Sequence, residues 1–307
     1  PATPRRVRAA RVGESADVRI GLFNGGRLGV VHDGVVLDVS DFITAFDVQG
    51  RLFEIIRRGI VVDDESLVAV PAIALEDVRW EAPLPRPGKI IGAPANYYEH
   101  IDEMPDSATI LDWGFFLKSP TSVIGPDETI RLPYSDKRTD YEGELAVVIG
   151  RGGRNIPLDE ALEHVYGYTC VLDITVRSSE DRSTRKSFDT FTPIGPWIVT
   201  ADELTRPGDL RLRLDVNGES KQDSTTSKLI YGVPELIAYA SSVVTLEPGD
   251  VIATGTPAGV GPLADGDVVT LDIESVGSLR ATVSARDAIR YEDRPGPATA
   301  LHRAAAR

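Results

Sequence analysis

Glu142 and Glu144 head the stretch DYEGELAVVIG (residues 140–150), whose second half is an apolar, β-branched run suited to the middle of a sheet. Residues two apart on an extended chain point the same way, so both carboxylates face one spot. Two ionised carboxylates held that close repel, and burying either without a partner is costly. A divalent cation removes both objections. The donors are oxygens with no Cys or His beside them, which suits a hard ion such as Mg²⁺, Mn²⁺ or Ca²⁺. Asp173 interrupts the apolar run YTCVLDITV (168–176) and is the candidate third ligand from a neighbouring strand. The competing reading is a solvated strand face that also carries Asp140.

Three further stretches carry candidate chemistry. In NYYEHIDEM (96–104), His100 and Glu103 are three apart, so one helical turn makes them neighbours. A carboxylate that orients an imidazole builds a general base near neutral pH, although a surface histidine beside acids has the same pattern. Of the other histidines, His32 lies by an Asp-Gly turn, His164 in a polar helical pattern and His302 near the end. In RSTRKSFDTFTPIGPW (182–197), Lys186, together with Arg177 upstream, puts positive charge close in sequence to Asp173. A solvated basic loop would read the same. PGDVIATGTPAGVG (248–261) is a β-run ending in a Gly-rich turn with two threonines, able to present backbone N–H groups to a carboxylate. No Gly-Lys-Ser/Thr follows, so it is not a phosphate loop.

The elements that must position these groups are mostly strands. Residues 18–39 alternate Val/Ile/Leu runs with Asn-Gly and Asp-Gly turns, which predicts a small β-meander. Helical patterns follow at 43–59 and 63–70. APLPRPGK (82–89) then makes a Pro-rich break, a hinge between an N-terminal domain (1–82) and a catalytic domain (83–290). Beyond it ten strand-like runs are interrupted by two helices, one after Pro157 and one over 234–242, each with proline at its start. Strands so outnumber helices that an α+β, mostly β fold with a mixed, rolled sheet is expected, and not a parallel α/β design. Residues 291–307 read as a frayed tail.

Bulk composition narrows the partners. The 307 residues are 42% hydrophobic and 26% charged, an ordinary globular balance. A net charge of -14 repels nucleic acid and anionic membrane, so a small anionic substrate needs a local positive centre. No apolar run approaches the roughly 18 residues of a membrane span. The Arg-rich start, PATPRRVRAARVGESAD, has no apolar centre and so is not a secretory signal; a disordered leader or edge strand is expected, with an organellar transit peptide as the alternative. The single cysteine, Cys170, leaves no internal disulfide and no cysteine metal cluster, and a soluble, cytoplasmic protein is expected.

Seven blocks, from KIIGAPANYYEH at Lys89 through FFLKSPTSVIGP, DYEGELAVVIG, GYTCVLDITVR, RKSFDTFTPIGPW and VNGESKQ to LEPGDVIATGTPAGVG, together resemble the fumarylacetoacetate hydrolase superfamily. The resemblance implies a β-roll catalytic domain, a divalent metal that is usually Mg²⁺, and a homodimer. It implies Glu142, Glu144 and Asp173 as metal ligands and His100 with Glu103 as the water-activating pair. Lys186 would stabilise enolate charge, and Lys118, Arg177 and Thr256 match positions lining the substrate pocket. The implied chemistry is hydrolysis of a C–C bond in an acylpyruvate or related 1,3-diketo acid through a metal-stabilised pyruvate enolate. The alternative on the same site is an oxaloacetate decarboxylase or an isomerase of the 2-hydroxyhepta-2,4-diene-1,7-dioate type. Two departures stand out. Relatives commonly read Arg-Asp-x-Gln where this chain has Arg177-Ser178-Ser179-Glu180; the resemblance sets Glu180 among the substrate-binding residues, but an ionised glutamate cannot donate as glutamine does, and a pairing with Arg177 or Arg182 is expected. Relatives also often place glycine before the lysine, where this chain has Arg185.

Overall fold

The computed structural model describes residues 18–32, 34–43, 50–60, 70–103 and 109–296. The predicted meander forms: β1 (Arg19–Phe23), β2 (Arg27–His32) and β3 (Val35–Asp38) pair in antiparallel order and are extended by β4 (Ala72–Ala74). Asn24, Gly25 and Gly26 all take positive φ to turn the first hairpin. Only part of the first helical pattern is described, as α1 (Gly50–Arg58). The second pattern lies almost entirely outside the described residues, as does the Arg-rich start.

Downstream strands are β5 (Ile90–Gly92), β6 (Phe116–Lys118), β7 (Val123–Ile124), β8 (Thr129–Arg131), β9 (Thr139–Tyr141), β10 (Gly143–Ile149), β11 (Val165–Leu172), β12 (Thr175–Val176), β13 (Thr192–Thr200), β14 (Arg211–Val216), β15 (Glu219–Thr225), β16 (Val251–Ala253), β17 (Gly261–Pro262), β18 (Val268–Ile273) and β19 (Gly277–Ser284). The helices among them are α2 (Tyr98–Asp102), α3 (Ile110–Trp113), α4 (Arg182–Arg185) and α5 (Val233–Val243). Among the described residues these strands make three sheets. The largest runs β4-β3-β2-β1-β13-β11-β10-β16-β5-β6, with β7 against β13. A second runs β15-β14-β18-β19-β8, and a small third runs β12-β9-β17. Parallel pairs (β16 with β5, β19 with β8, β7 with β13) sit among antiparallel ones, the expected mixed, mostly β architecture. Because β1 pairs with β13, the large sheet is continuous across the boundary expected at 82/83.

Why β10 is apolar from Leu145 onward follows from what covers it. Leu145, Val147 and Ile149 enter one core with Leu212, Leu271 and Ile237, beneath the second sheet and α5. Ala146 and Val148 enter another core on the opposite face, with Ile20, Leu22, Leu52 and Ile55 of the meander and α1. A strand buried on both faces has no position left for a solvated side chain. Cys170 of β11 belongs to the first core, its Sγ donating to the Gly277 carbonyl at 3.4 Å, and burial pushes its thiol pKa up.

Several local expectations come out differently. The segment after Pro157 is a 3₁₀ helix, Leu158–His164, instead of an α-helix. β15 (ESKQDST) lacks the apolar alternation by which strands are read, and it was not expected as one. Of the tail expected to fray from residue 291, Tyr291 packs edge-on against Tyr134 and Arg294 pairs with Glu180, while 297–307 lie outside the described residues. No described helix is long and apolar enough to cross a membrane.

Candidate metal centre and active site

Strand register brings the acids together. In the antiparallel β10–β11 pair Gly143 stands opposite Leu172, so one step further Glu142 meets Asp173, whose N–H donates to the Glu142 carbonyl at 2.8 Å. Both strands leave the large sheet at that point and pair again as β9 with β12. On its other edge β10 pairs with β16, Ala146 opposite Ala253, which carries the Gly-rich turn past Glu144. Gly255 N–H donates to Glu144 Oε2 at 2.7 Å. Gly255 has φ +97°, and a Cβ there would stand 2.7 Å from the Cβ of Asn96, so no larger residue fits without displacing the turn.

Glu142, Glu144 and Asp173 are all buried, with an oxygen of each within 4.8 Å of the others. Lys186, capping the C-terminus of α4, donates from Nζ to Glu142 Oε2 at 2.6 Å and to Asp173 Oδ2 at 2.5 Å. Lys118, at the end of β6, donates to Asp173 Oδ1 at 2.5 Å and to the Phe191 carbonyl at 2.7 Å. Arg177 bridges Asp140 (2.7 Å) and Glu142 (2.8 Å), and Arg138 holds the other oxygen of Asp140 at 2.6 Å. Asp140 is therefore an anchor for Arg177, neither solvated nor part of the triad.

These contacts split the titration of the two glutamates. Burial raises the Glu142 pKa, but the Lys186 ammonium and the Arg177 guanidinium outweigh it and bring it down to about 2. Glu144 moves well up: it is buried, it faces the charges of Asp173 and Glu142, and the Gly255 N–H is its one hydrogen bond among the described residues. Burial lowers the Lys118 pKa, whereas for Lys186 the charges of Asp173 and Glu142 override burial and raise it. A buried carboxylate without a cation of its own, next to two more carboxylates, is the donor set that a divalent ion completes. The residues present fit such a metal.

His100 sits on α2, buried, and lines the cleft over the triad. Its Nδ1 lies 3.5 Å from Glu103 Oε2 with no hydrogen-bond partner. Glu103 instead accepts from Gly259 N–H at 2.9 and 3.1 Å, so the predicted pair is adjacent but not closed. Arg177, Lys186 and Thr256 reach the cleft; Lys118 stands behind Asp173 and does not line it. The Thr256 hydroxyl donates to the Gly143 carbonyl at 3.0 Å and accepts from Gln222 Nε2 at 2.8 Å. Glu180 does not line the cleft either. It accepts from Ser178 Oγ at 3.2 Å and pairs with Arg294, where Arg177 or Arg182 had been the expected partners.

Sequence reasoning missed four residues here. Gln222, on the unexpected β15, binds Gly143 N–H through Oε1 and so ties the turn to the root of β10. Asn96 clamps the Thr254 and Tyr231 carbonyls, both at 2.8 Å. Arg182 and Arg185 line the cleft, and their only signal was the basic character of the 182–186 loop.

Comparison with known proteins identifies the family. Residues 89–284 match the fumarylacetoacetate (FAA) hydrolase C-terminal domain. A maleylpyruvate hydrolase of Aquipseudomonas alcaligenes is 43% identical over 285 residues, covering 87% of this chain and 99% of that one. The crystal structure of a maleylpyruvate hydrolase from Sphingobium sp. SYK-6, in complex with manganese(II) ion and pyruvate, superimposes with a TM-score of 0.77 at 38% identity, over 87% of this chain and 99% of that one. The oxaloacetate tautomerase YisK of Bacillus subtilis is 40% identical over 67% of this chain and 73% of its own. By sequence and by fold alike, the chain belongs to the fumarylacetoacetate hydrolase family.

Proposed function

We propose that the protein is a divalent-metal-dependent hydrolase that cleaves the C–C bond of an acylpyruvate, releasing pyruvate and the carboxylic acid of the acyl group. The observation that carries this reading is the buried triad with its one cation-free carboxylate, set beneath a buried histidine. The manganese–pyruvate complex of a relative at 38% identity supports it. Glu142, Glu144 and Asp173 would hold the cation, Mg²⁺ being the ion we propose. When bound, the cation supplies a Lewis acid for the keto and carboxylate oxygens of a 2-oxo acid.

His100 takes the proton from the water that attacks the distal carbonyl, and Glu103 orients the imidazole. The C–C bond then breaks with its electrons going to the pyruvate carbon. Lys186 stabilises the charge gathering on that side until the carbon is protonated. A homodimer is part of the same reading, and sedimentation velocity tests it.

A second reading, tautomerisation of oxaloacetate, is favoured by the 40% identity to an oxaloacetate tautomerase. It moves protons only and needs no attacking water. Substrate screening by absorbance, on chelated protein with and without Mg²⁺, tests the metal and the substrate class together. His100→Ala separates the reactions: acetylpyruvate hydrolysis should fall on the order of 10²–10⁴-fold in kcat, the share of a general base. An unchanged rate would remove His100 from the mechanism.

A further inference from the structure

Nearly every cation near the triad is already engaged. Lys118 and Lys186 serve Asp173 and Glu142, and Arg177 serves Asp140 and Glu142. Arg182 and Arg185 are different. They stand at the first and last positions of α4, three apart on one turn, and both line the cleft. Among the described residues neither has a hydrogen bond or close ion pair to a carboxylate, and Arg185 Nε is buried with no hydrogen-bond partner. The Arg182 guanidinium is held 4.0 Å over the ring of Trp113, which also lines the cleft. Burial, and the repulsion of Arg185 on Arg182 and of Arg177 on Arg185, lower the pKa of both. Asp181 and Glu142 pull weakly on both, but two half-buried like charges with no ion-pair partner among the described residues, in a chain of net charge -14, call for an anion.

A 2-oxo acid group meets the triad at one end of the cleft, and the unmatched guanidiniums lie along the wall formed by α4. We infer that Arg182 and Arg185 form a second carboxylate subsite, which takes the far carboxylate of a dicarboxylic acylpyruvate. The inference rests on the hydrolase reading above and names its substrate class. Guanidinium forks suit the task, because each can meet a carboxylate through two parallel N–H donors, and the Trp113 ring holds one fork in plane. A monocarboxylic acylpyruvate would leave both forks to water.

The test compares kcat/KM for fumarylpyruvate, with its far carboxylate, and acetylpyruvate, without one, in wild type, Arg182→Gln, Arg185→Gln and the corresponding lysine variants. The ratio of the two should fall about 10- to 100-fold in each glutamine variant, mainly through KM, the loss expected of one charge-assisted pair. Lysine should restore part of it, since the charge returns without the fork. A wild type that does not discriminate, or a ratio unmoved in both glutamine variants, overturns the subsite. A calorimetric arm is independent of turnover: Mn²⁺-loaded protein is titrated with 2-oxoheptanedioate and with 2-oxoheptanoate, equal in length but differing in the second carboxylate. Should wild type hydrolyse neither acylpyruvate while the variants lose this binding preference, the reaction is wrong and the subsite stands. Should hydrolysis be normal and the preference unmoved, the subsite is wrong and the reaction stands.

Discussion

At opposite ends of β16 the chain buries carboxylates in two different ways. At the start, Asp250 accepts Lys89 N–H on Oδ1 at 2.9 Å, and on Oδ2 it accepts Glu247 N–H at 2.7 Å and the Lys89 ammonium at 2.9 Å. Each oxygen has its donors, and the side chain is wholly buried. Past the other end, Glu144 has one N–H, two acidic neighbours and an opening above it. Burial alone does not separate these cases, since both acids are almost wholly enclosed and both have raised pKa values. What separates them is whether the protein itself supplies the compensating charge. Where it does, the acid holds a turn; where it does not, the acid waits for a ligand.

The largest effect that tests this contrast is Glu144→Gln. Losing several kcal/mol of charge stabilisation should cut kcat by about 10³-fold or more and abolish Mg²⁺ binding by calorimetry. The same substitution should stabilise the metal-free protein. Glu144 has a folded-state pKa above the usual 4.5, so its ionisation costs stability as pH rises through that raised value, and glutamine does not ionise. A rise in thermal midpoint of about 2–4 °C per kcal/mol relieved is expected, read by scanning calorimetry without metal. Lower activity accompanied by lower stability would make the triad a structural knot like Asp250.

Lys186→Met is next. It should lower kcat by about 10²–10³-fold, the usual loss for one donor to developing charge, and weaken the fold as well, because Glu142 and Asp173 lose their shared ammonium. Asp250→Asn should do the reverse of Glu144→Gln. The amide NH₂ would face a backbone N–H or the Lys89 ammonium, at a cost of about 1–3 kcal/mol, while Mg²⁺ affinity holds. Chemical denaturation and metal titration of the one variant measure both.

The smallest effect concerns an acid that is neither knot. Glu54 of α1 is held by Arg57 and then Arg58, which together outweigh burial and keep its pKa below the usual 4.5. Its contribution is complete above that value and is lost as pH falls through the lowered one. Glu54→Gln should therefore flatten the acid limb of a stability-versus-pH curve and leave pH 7 activity alone.

How much of this could be read in advance depended on the range of the interactions. The triad was legible because strand alternation is local: two glutamates two apart, and one acid inside an apolar run. The partners of those acids were harder. Asp140 was placed only in the competing reading, on a solvated face, whereas Arg138 and Arg177 close on it, and Arg177 lies 37 positions away. Glu180 was expected to pair nearby, but its partner Arg294 is 114 positions distant. β15 escaped because its buried residues are Gln222 and Ser224, polar groups invisible to apolar periodicity; Gln222 is enclosed by its bonds to Gly143, Thr256 and Pro257. Arg182 and Arg185 looked like loop charges, since only three-dimensional structure tells which guanidiniums have found an acid.

Cys170 has a practical consequence. It is the only thiol in the chain, a β11 residue enclosed in the core, with its pKa raised by burial. Thiolates are the reactive species, so in the folded state the native chain should be silent to maleimides and spin labels. A cysteine introduced at exposed Tyr98, two residues before His100 on α2, would then be the single addressable handle. A dye attached there could report how α2 responds to metal and substrate, without first removing a native cysteine.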